Sequence, residues 1–264
     1  MSALERAPRR PRVLVTGASR GIGRATALAL ARTGHDLVVT ARTEPQLASL
    51  AKELRALGAR AQPLVMDVTD ADSVRVAVAA ALAEGPIDVL VNNAGIAEQR
   101  LFLAQDAAYR EHEMNVNYFG AQRVTAAVLP HMIARRRGTL VNVSSVLGEV
   151  PCPSTANYSG TKAALAAWSH ALRGEIAHHG VRVVVFVPSH TATEAADQER
   201  FDGVYTLPLE YTVSQLLRAI RRAPRTWVTS PVFAAFVRLA HVFPAWGEAR
   251  MVAATRSIVR ALPG

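Results

Sequence analysis

A doubly wound α/β fold, a mainly parallel seven-stranded sheet with helices on both faces, is predicted by three features of the sequence. Short β-branched runs alternate with longer Ala- and Leu-rich stretches of helical period, the pattern of successive βαβ units. The runs are almost continuously apolar, as in Val181 to Val187 where Arg182 alone is polar, and strands of that kind are covered on both faces. The chain has 264 residues, 50% of them hydrophobic and 6% aromatic, which is enough apolar material to bury a large core in one α/β domain.

In chain order, strands are expected at about 12–16, 36–40, 61–65, 87–91, 139–143, 181–187 and 225–229, with helices filling the intervals. The expected organisation is a single domain over 1–264. It includes a substrate-loop region at about 194–211, where a lid could form, and a helical C-terminal extension at about 231–264. In such a sheet ligands bind at the carboxyl ends of the strands, so functional residues belong just after them.

Composition narrows the setting. The formal charge of +9 raises an anionic partner, yet the arginines fall in local groups: Arg6, Arg9, Arg10 and Arg12, then Arg135 to Arg137, then Arg218, Arg221, Arg222 and Arg225. They read as solvated faces or as binders of a cofactor phosphate. No nucleic-acid-binding module accompanies them, and a nucleic-acid partner is not expected. Cys152 is the lone cysteine, which excludes an intramolecular disulfide and a cysteine-cluster metal site and fits a reducing, cytoplasmic setting. The first dozen residues lack the apolar core of a signal peptide. The longest apolar stretch, Pro231 to Trp246, is interrupted by Arg238, His241 and Pro244 and is too short to span a bilayer.

The first strand runs into Gly17-Ala18-Ser19-Arg20-Gly21-Ile22-Gly23 and then an alanine-rich helix. A glycine turn at a helix mouth lets backbone approach a pyrophosphate, whose charge the helix N-terminus favours. At the end of the second strand a carboxylate would accept the ribose 2′-hydroxyl of NAD. This chain has Ala41-Arg42 there and no acid before Glu44, so Arg42, helped by Arg20, is suited to a 2′-phosphate.

Tyr158-Ser159-Gly160-Thr161-Lys162 places a phenol and an ammonium four residues apart on one helical face. A tyrosine that ordinarily titrates near 10 needs a cation to serve as a base at neutral pH. One positive charge at about 4 Å, with an effective dielectric near 20, contributes about 4 kcal/mol before desolvation, or roughly 3 pKa units. Thirteen residues before Tyr158, Ser145 closes the fifth strand, where its hydroxyl can donate to a substrate oxygen as charge develops.

Thr16, Gly17, Gly21 and Gly23 match a T-G-x-x-x-G-x-G loop, and Tyr158 and Lys162 match Y-x-x-x-K. Over about residues 12–193 the sequence resembles the short-chain dehydrogenase/reductase family. The resemblance implies a Rossmann-like fold and an NADP(H)-dependent oxidoreductase that interconverts a carbonyl and an alcohol, with Tyr158 as general acid/base, Ser145 steadying the oxygen and Lys162 lowering the tyrosine pKa. It further implies cofactor contacts from Gly17, Ser19, Arg20, Gly21, Ile22, Gly23 and Arg42, from Asp67 and Val68 at the adenine, and from Asn93, Ala94 and Gly95. Tyr158, Lys162, Pro188 and Thr193 complete that set, and the Arg20–Arg42 pair marks NADP preference. The family's relay asparagine falls on Asn117 or Asn115, and the spacing to Gly120 and Pro130 selects Asn117. One departure stands out: Ser189 follows Pro188 where the family usually has glycine. A homodimer or homotetramer through the helices carrying Asn117 and Tyr158 is also implied.

Other features carry less. The eight histidines are scattered and form no metal site. His190 reads as a solvent-facing loop residue, Cys152 as a plain loop residue, and the apolar residues of 232–243 as core or subunit contact, with peripheral membrane contact not favoured. The substrate is expected to be a moderately apolar carbonyl or alcohol contacted by loops around 96–106, 146–156 and 194–211, where Phe102, Leu103, Leu147, Val150, Phe201 and Tyr205 supply apolar surface. The alternative from another class is a catalytically idle NADP(H)-binding regulator or scaffold of the same fold. A nucleotide-sugar epimerase fits less well, because those relatives usually carry a different glycine spacing.

Overall fold

The computed structural model describes residues 9–194 and 201–260. Seven strands form one sheet: β1 (Arg12–Thr16), β2 (Asp36–Ala41), β3 (Ala61–Val65), β4 (Val89–Asn92), β5 (Gly138–Val143), β6 (Val181–Val187) and β7 (Thr226–Val228). Their order is β3-β2-β1-β4-β5-β6-β7, and every pairing is parallel. The chain thus winds outward from β1 in both directions, as the apolar strand runs predict. β4 begins later than expected, and β7 is shorter. At one edge, β3 tolerates Pro63 because no strand beyond it needs the missing N–H.

The helices are α1 (Gly21–Arg32), α2 (Glu44–Ala56), α3 (Ala71–Ala83), α4 (Ala107–Met114), α5 (Gly120–Ala134), α6 (Val146–Glu149), α7 (Ala156–Glu175), α8 (Leu209–Arg222), α9 (Pro231–Val242), α10 (Pro244–Ala254) and α11 (Arg256–Arg260). Alternate strand residues face opposite layers. Val13, Val15, Val39 and Val91 pack with Leu30 of α1, Leu50 of α2 and Leu216 of α8, while Leu14, Val38, Leu90 and Leu140 pack with Val78 of α3, Val128 of α5 and Leu172 of α7. Burial of these side chains on both faces drives the fold. A third cluster joins Val185 and Val187 of β6 to Leu147, Val237 and Ala240, which docks the C-terminal helices beside the carboxyl ends of the strands.

The predicted loop region at 194–211 is described on both sides of residues 195–200, which lie outside the described residues. Its arms are tied down: Ala192 N donates to Leu207 O at 2.9 Å and Leu207 N to His190 O at 2.8 Å. The expected C-terminal helices are present through Arg260, and residues 261–264 fall outside the described residues.

Candidate active site

The loops after β1 and β4 are joined by side chains suited to that purpose. Thr16 Oγ1 accepts from the backbone N–H of both Asn93 and Ala94 at 3.0 Å, and Asn93 Nδ2 donates to Thr16 O at 2.9 Å and Gly17 O at 3.2 Å. Gly17 has φ +65, and a Cβ on it would come within 2.8 Å of Ala94 Cα; a Cβ on Gly23 would overlap Asn93 Nδ2 and Gly17 O. Both glycines are therefore required by sterics. The α1 N-terminus that follows has no side-chain cap and no acid in its first turn, so its N–H groups remain available to an anion. This cradle has the shape and the donor set a dinucleotide pyrophosphate needs.

A cavity of about 1180 Å³ opens over the carboxyl ends of the strands. Of the residues singled out in the sequence, Gly17, Ser19, Arg20, Gly21, Ile22, Arg42, Asp67, Val68, Asn93, Ala94, Gly95, Ser145, Tyr158, Lys162, Pro188 and Thr193 line it. Gly23 and Asn117 stand behind the wall. Arg20 and Arg42 are exposed, and among the described residues neither makes an ion pair. For Asp67, burial acts to raise the carboxyl, but the Thr69 backbone N–H, the Thr69 hydroxyl and the charge of Arg42 outweigh it and hold the pKa below its ordinary value.

Ser145 caps α6: Leu147 N donates to its Oγ at 3.1 Å, which leaves the hydroxyl proton to point elsewhere. Tyr158 and Lys162 occupy the first turns of α7, with Lys162 Nζ 5.7 Å from the centre of the Tyr158 ring. Lys162 is buried and donates to Val143 O at 2.9 Å. Burial pulls its pKa down to about 8, against the pull of Glu113, so the ammonium is present below that pH and lost above it.

Asn117 lies in a π-helical turn, Asn115–Phe119, between α4 and α5. Its Oδ1 accepts from Ile96 N at 2.8 Å, and its Nδ2 donates to Ile96 O at 2.9 Å and Thr161 Oγ1 at 3.0 Å. It thereby ties the β4 loop to α7. An added Cβ on Gly95 would lie 3.2 Å from Asn117 Oδ1 and 3.4 Å from Lys162 Nζ, so the two side chains crowd the same backbone. Asn115 is half-buried and makes no such bridge.

The substrate side departs from expectation. Leu147, Phe201 and Tyr205 line the cavity, but Phe102 and Leu103 are 57% and 94% exposed and Val150 is buried in the core. A one-turn 3₁₀ helix at Phe102–Ala104 turns the first two outward, and Arg110 stacks on Phe102 at 4.7 Å. His190 is not solvent-facing: it lines the cavity, bonds Thr206 Oγ1 at 2.9 Å and meets Phe201 edge-on at 5.2 Å. Cys152 is buried, its thiol pushed up to about 11 by burial, and it is absent from the cavity wall. The sequence reading missed Phe233, Phe236 and Met251 of α9 and α10 as lining residues. The apolar period of 231–243 is the signal that could have found them, since one face of α9 turns inward while Leu239 and Val242 stay exposed. Ser189 is not among the non-glycine residues with positive φ, so the backbone there does not require glycine.

A sequence model described as short chain dehydrogenase matches residues 11–202. The chain belongs to the short-chain dehydrogenase family. It is thus a member of an oxidoreductase family whose fold binds a nicotinamide cofactor. A curated relative, the 3-oxoacyl-[acyl-carrier-protein] reductase FabG of Thermotoga maritima, is 36% identical over 186 residues, covering 70% of this chain and 76% of its own. Among solved structures, a short-chain dehydrogenase from Sphingobium yanoikuyae in complex with NADPH aligns with a TM-score of 0.78 and 30% identity, covering 96% of each chain. A second, from Burkholderia phymatum in complex with NAD, aligns with a TM-score of 0.81 and 25% identity over 90% of this chain and 95% of its own. No helix among the described residues is long and apolar enough to cross a membrane.

Proposed function

We propose that this short-chain dehydrogenase is an NADP(H)-dependent oxidoreductase that interconverts a carbonyl and an alcohol, with Tyr158 as general acid/base. The observation that carries the reading is the meeting of Ser145, Tyr158 and Lys162 in one cavity with the glycine loop and with Arg20 and Arg42. A bound nicotinamide supplies or accepts the hydride. Gly17, Gly21 and Gly23 give the pyrophosphate close access to the α1 N-terminus, and Ser19, Ile22 and the Asn93-Ala94-Gly95 turn wall the channel. Arg42 and Arg20 would hold a 2′-phosphate by charge-assisted bonds, in a pocket where β2 ends without an acid. Asp67 and Val68 would bracket the adenine end of the cofactor, and Pro188 and Thr193, on the same cavity wall, its nicotinamide end.

On the substrate side, Ser145 donates its hydroxyl proton to the reacting oxygen as negative charge grows there. Tyr158 gives that oxygen a proton in reduction and takes it back in oxidation. Lys162, charged below about 8, favours the phenolate and lowers the barrier to proton release. Asn117 fixes the loop and the helix that carry these groups. Phe201, Phe233, Phe236 and Met251 face the same cavity and suit a moderately apolar substrate. The reading includes a cytoplasmic homodimer or homotetramer assembled through the helical segment that carries Asn117 and through α7, which carries Tyr158.

The test is a screen of ketones and alcohols by NADPH absorbance, with Tyr158→Phe as its control. Turnover is expected to fall at least about 1,000-fold in the variant while NADPH binding by fluorescence stays within about threefold. Substantial turnover by Tyr158→Phe would refute the role of the phenol.

A further inference from the structure

Glu113, on the last turn of α4, is fully buried and is not part of the cavity wall. Its Oε2 accepts from Asn157 Nδ2 at 2.6 Å, and Asn157, the residue before Tyr158, donates also to Arg110 O at 3.1 Å. Its Oε1 has no hydrogen-bond partner. A glutamine could still accept from Asn157 and so fasten α4 to α7, but it would carry no charge. What a neutral group cannot do is act on the buried ammonium of Lys162, whose charge interacts with that of Glu113.

Resting on the reading that Tyr158 and Lys162 move the proton, we infer that Glu113 is a positioning residue for that pair: it anchors the first turn of α7 through Asn157, and its negative charge keeps Lys162 protonated. The groups that face it are Glu98 from the loop after β4, Tyr109 on its own helix, and Asn157 and Lys162 on α7. Burial raises the Glu113 carboxyl; Asn157, the Glu98 backbone N–H and Lys162 offset part of this, the Glu98 carboxylate adds to it, and the balance stays above the ordinary value. The alkaline limb of reduction reports the first proton lost by the pair, whichever of the two groups loses it. Removing a nearby negative charge lets the pair lose its proton at lower pH.

The test needs no substrate. The phenolate absorbance of Tyr158 is read by pH titration as the difference between the chain and its Tyr158→Phe variant. The same difference is then taken between Glu113→Gln and Glu113→Gln/Tyr158→Phe, which also cancels the response of Tyr109. In Glu113→Gln the alkaline limb of ketone reduction is expected to fall by about half a pH unit or more, and the phenolate midpoint to shift by a similar amount, downward where Lys162 stays charged and upward where its ammonium is lost first. Asn157→Ala, which removes the anchor and one donor to the carboxylate but leaves the carboxyl group, is expected to lower kcat and to shift the midpoint by less than Glu113→Gln does. An unmoved midpoint in folded Glu113→Gln, or an equal shift in Asn157→Ala, overturns the inference. Should Glu113→Gln not fold, infrared spectroscopy of the unaltered chain decides. A protonated-carboxyl band at neutral pH that survives Glu149→Gln, the other acid raised by burial, would show Glu113 uncharged and overturn it. Turnover by Tyr158→Phe would instead refute the catalytic reading, and the titration would still report on the charge.

Discussion

The two ends of the parallel sheet carry similar charged residues and use them in opposite ways. At the amino end the buried carboxylates among the described residues are neutralised: Asp88 accepts from Arg9, from Arg135 at 2.9 Å and from Arg12 N at 2.9 Å, and Asp36 accepts from Arg60 Nε at 2.8 Å and Arg60 N at 3.0 Å. Arg12 itself is buried and donates to the carbonyls of Ala81 and Gly85. At the carboxyl end Arg20 and Arg42 face a cavity without ion pairs among the described residues, and Lys162 is buried against a neutral carbonyl. Charges paired within the chain hold the layers together, whereas Arg20 and Arg42, exposed on the cavity wall without an ion pair among the described residues, are available to something that arrives from outside.

The strongest way to break that contrast is to fill the cradle at the carboxyl end. In Gly23→Ala the new methyl would overlap Asn93 Nδ2 and Gly17 O, both of which belong to the junction between the β1 and β4 loops. NADPH affinity is expected to fall at least about 100-fold by fluorescence titration, with a lower melting midpoint. Retained binding would mean that the loop approaches no pyrophosphate.

A charge reversal comes next. Arg42→Asp is expected to weaken NADPH binding by about 10- to 100-fold and to leave NADH binding equal or better, read as the ratio of the two dissociation constants. An unchanged ratio would make Arg42 a solvated side chain and take the 2′-phosphate away from this end of the cavity.

The matching change at the amino end is Asp88→Asn. It strands Arg9 and Arg135 and is expected to cost about 2 kcal/mol of folding stability in urea, with NADPH affinity unaltered. Burial alone would raise the Asp88 carboxyl, but its three arginine donors overcome this and hold it below its ordinary value. A depressed folded pKa means the stabilisation is complete above the unfolded pKa and is lost as pH falls through the folded one. The gap between the urea midpoints of the unaltered chain and the Asp88→Asn variant should therefore be full at neutral pH and shrink below about pH 4. A gap that persists in acid would assign the stability to shape rather than charge.

The same contrast explains what could be read from the sequence. The sheet was legible because its strands are buried on both faces and their composition says so without help from context. The glycine loop, Ser145, Tyr158 and Lys162 were legible because backbone sterics and helical spacing fix where such residues point. Phe102 and Leu103 were misassigned because in an irregular loop composition does not fix direction, and the 3₁₀ turn sends them outward. His190 was placed in solvent for the same reason, although the bridge between Thr191 and Leu207 turns it inward. Phe233 and Phe236 went unnoticed as site residues because their helix reaches the cavity only through the docking of α9 and α10 on β6, a contact between segments distant in sequence.

The smallest effect is expected at Ser189, where the family's usual glycine is missing. A glycine would be needed if the backbone were left-handed, and it is not. Ser189 is buried, its N–H donates to Thr229 Oγ1 at 3.1 Å, and the two hydroxyls lie 3.0 Å apart, so the side chain fastens the end of β6 to the end of β7. Ser189→Gly removes that bond and frees the backbone, costing about 1 kcal/mol of stability. NADPH affinity should change by less than about threefold, because the neighbouring Pro188 keeps its carbonyl bonded to Val146 N at 2.9 Å. A tenfold gain in NADPH affinity for Ser189→Gly would show that the serine had been holding the cofactor channel in a poorer shape. The carboxyl end would then be strained at this position as well as open.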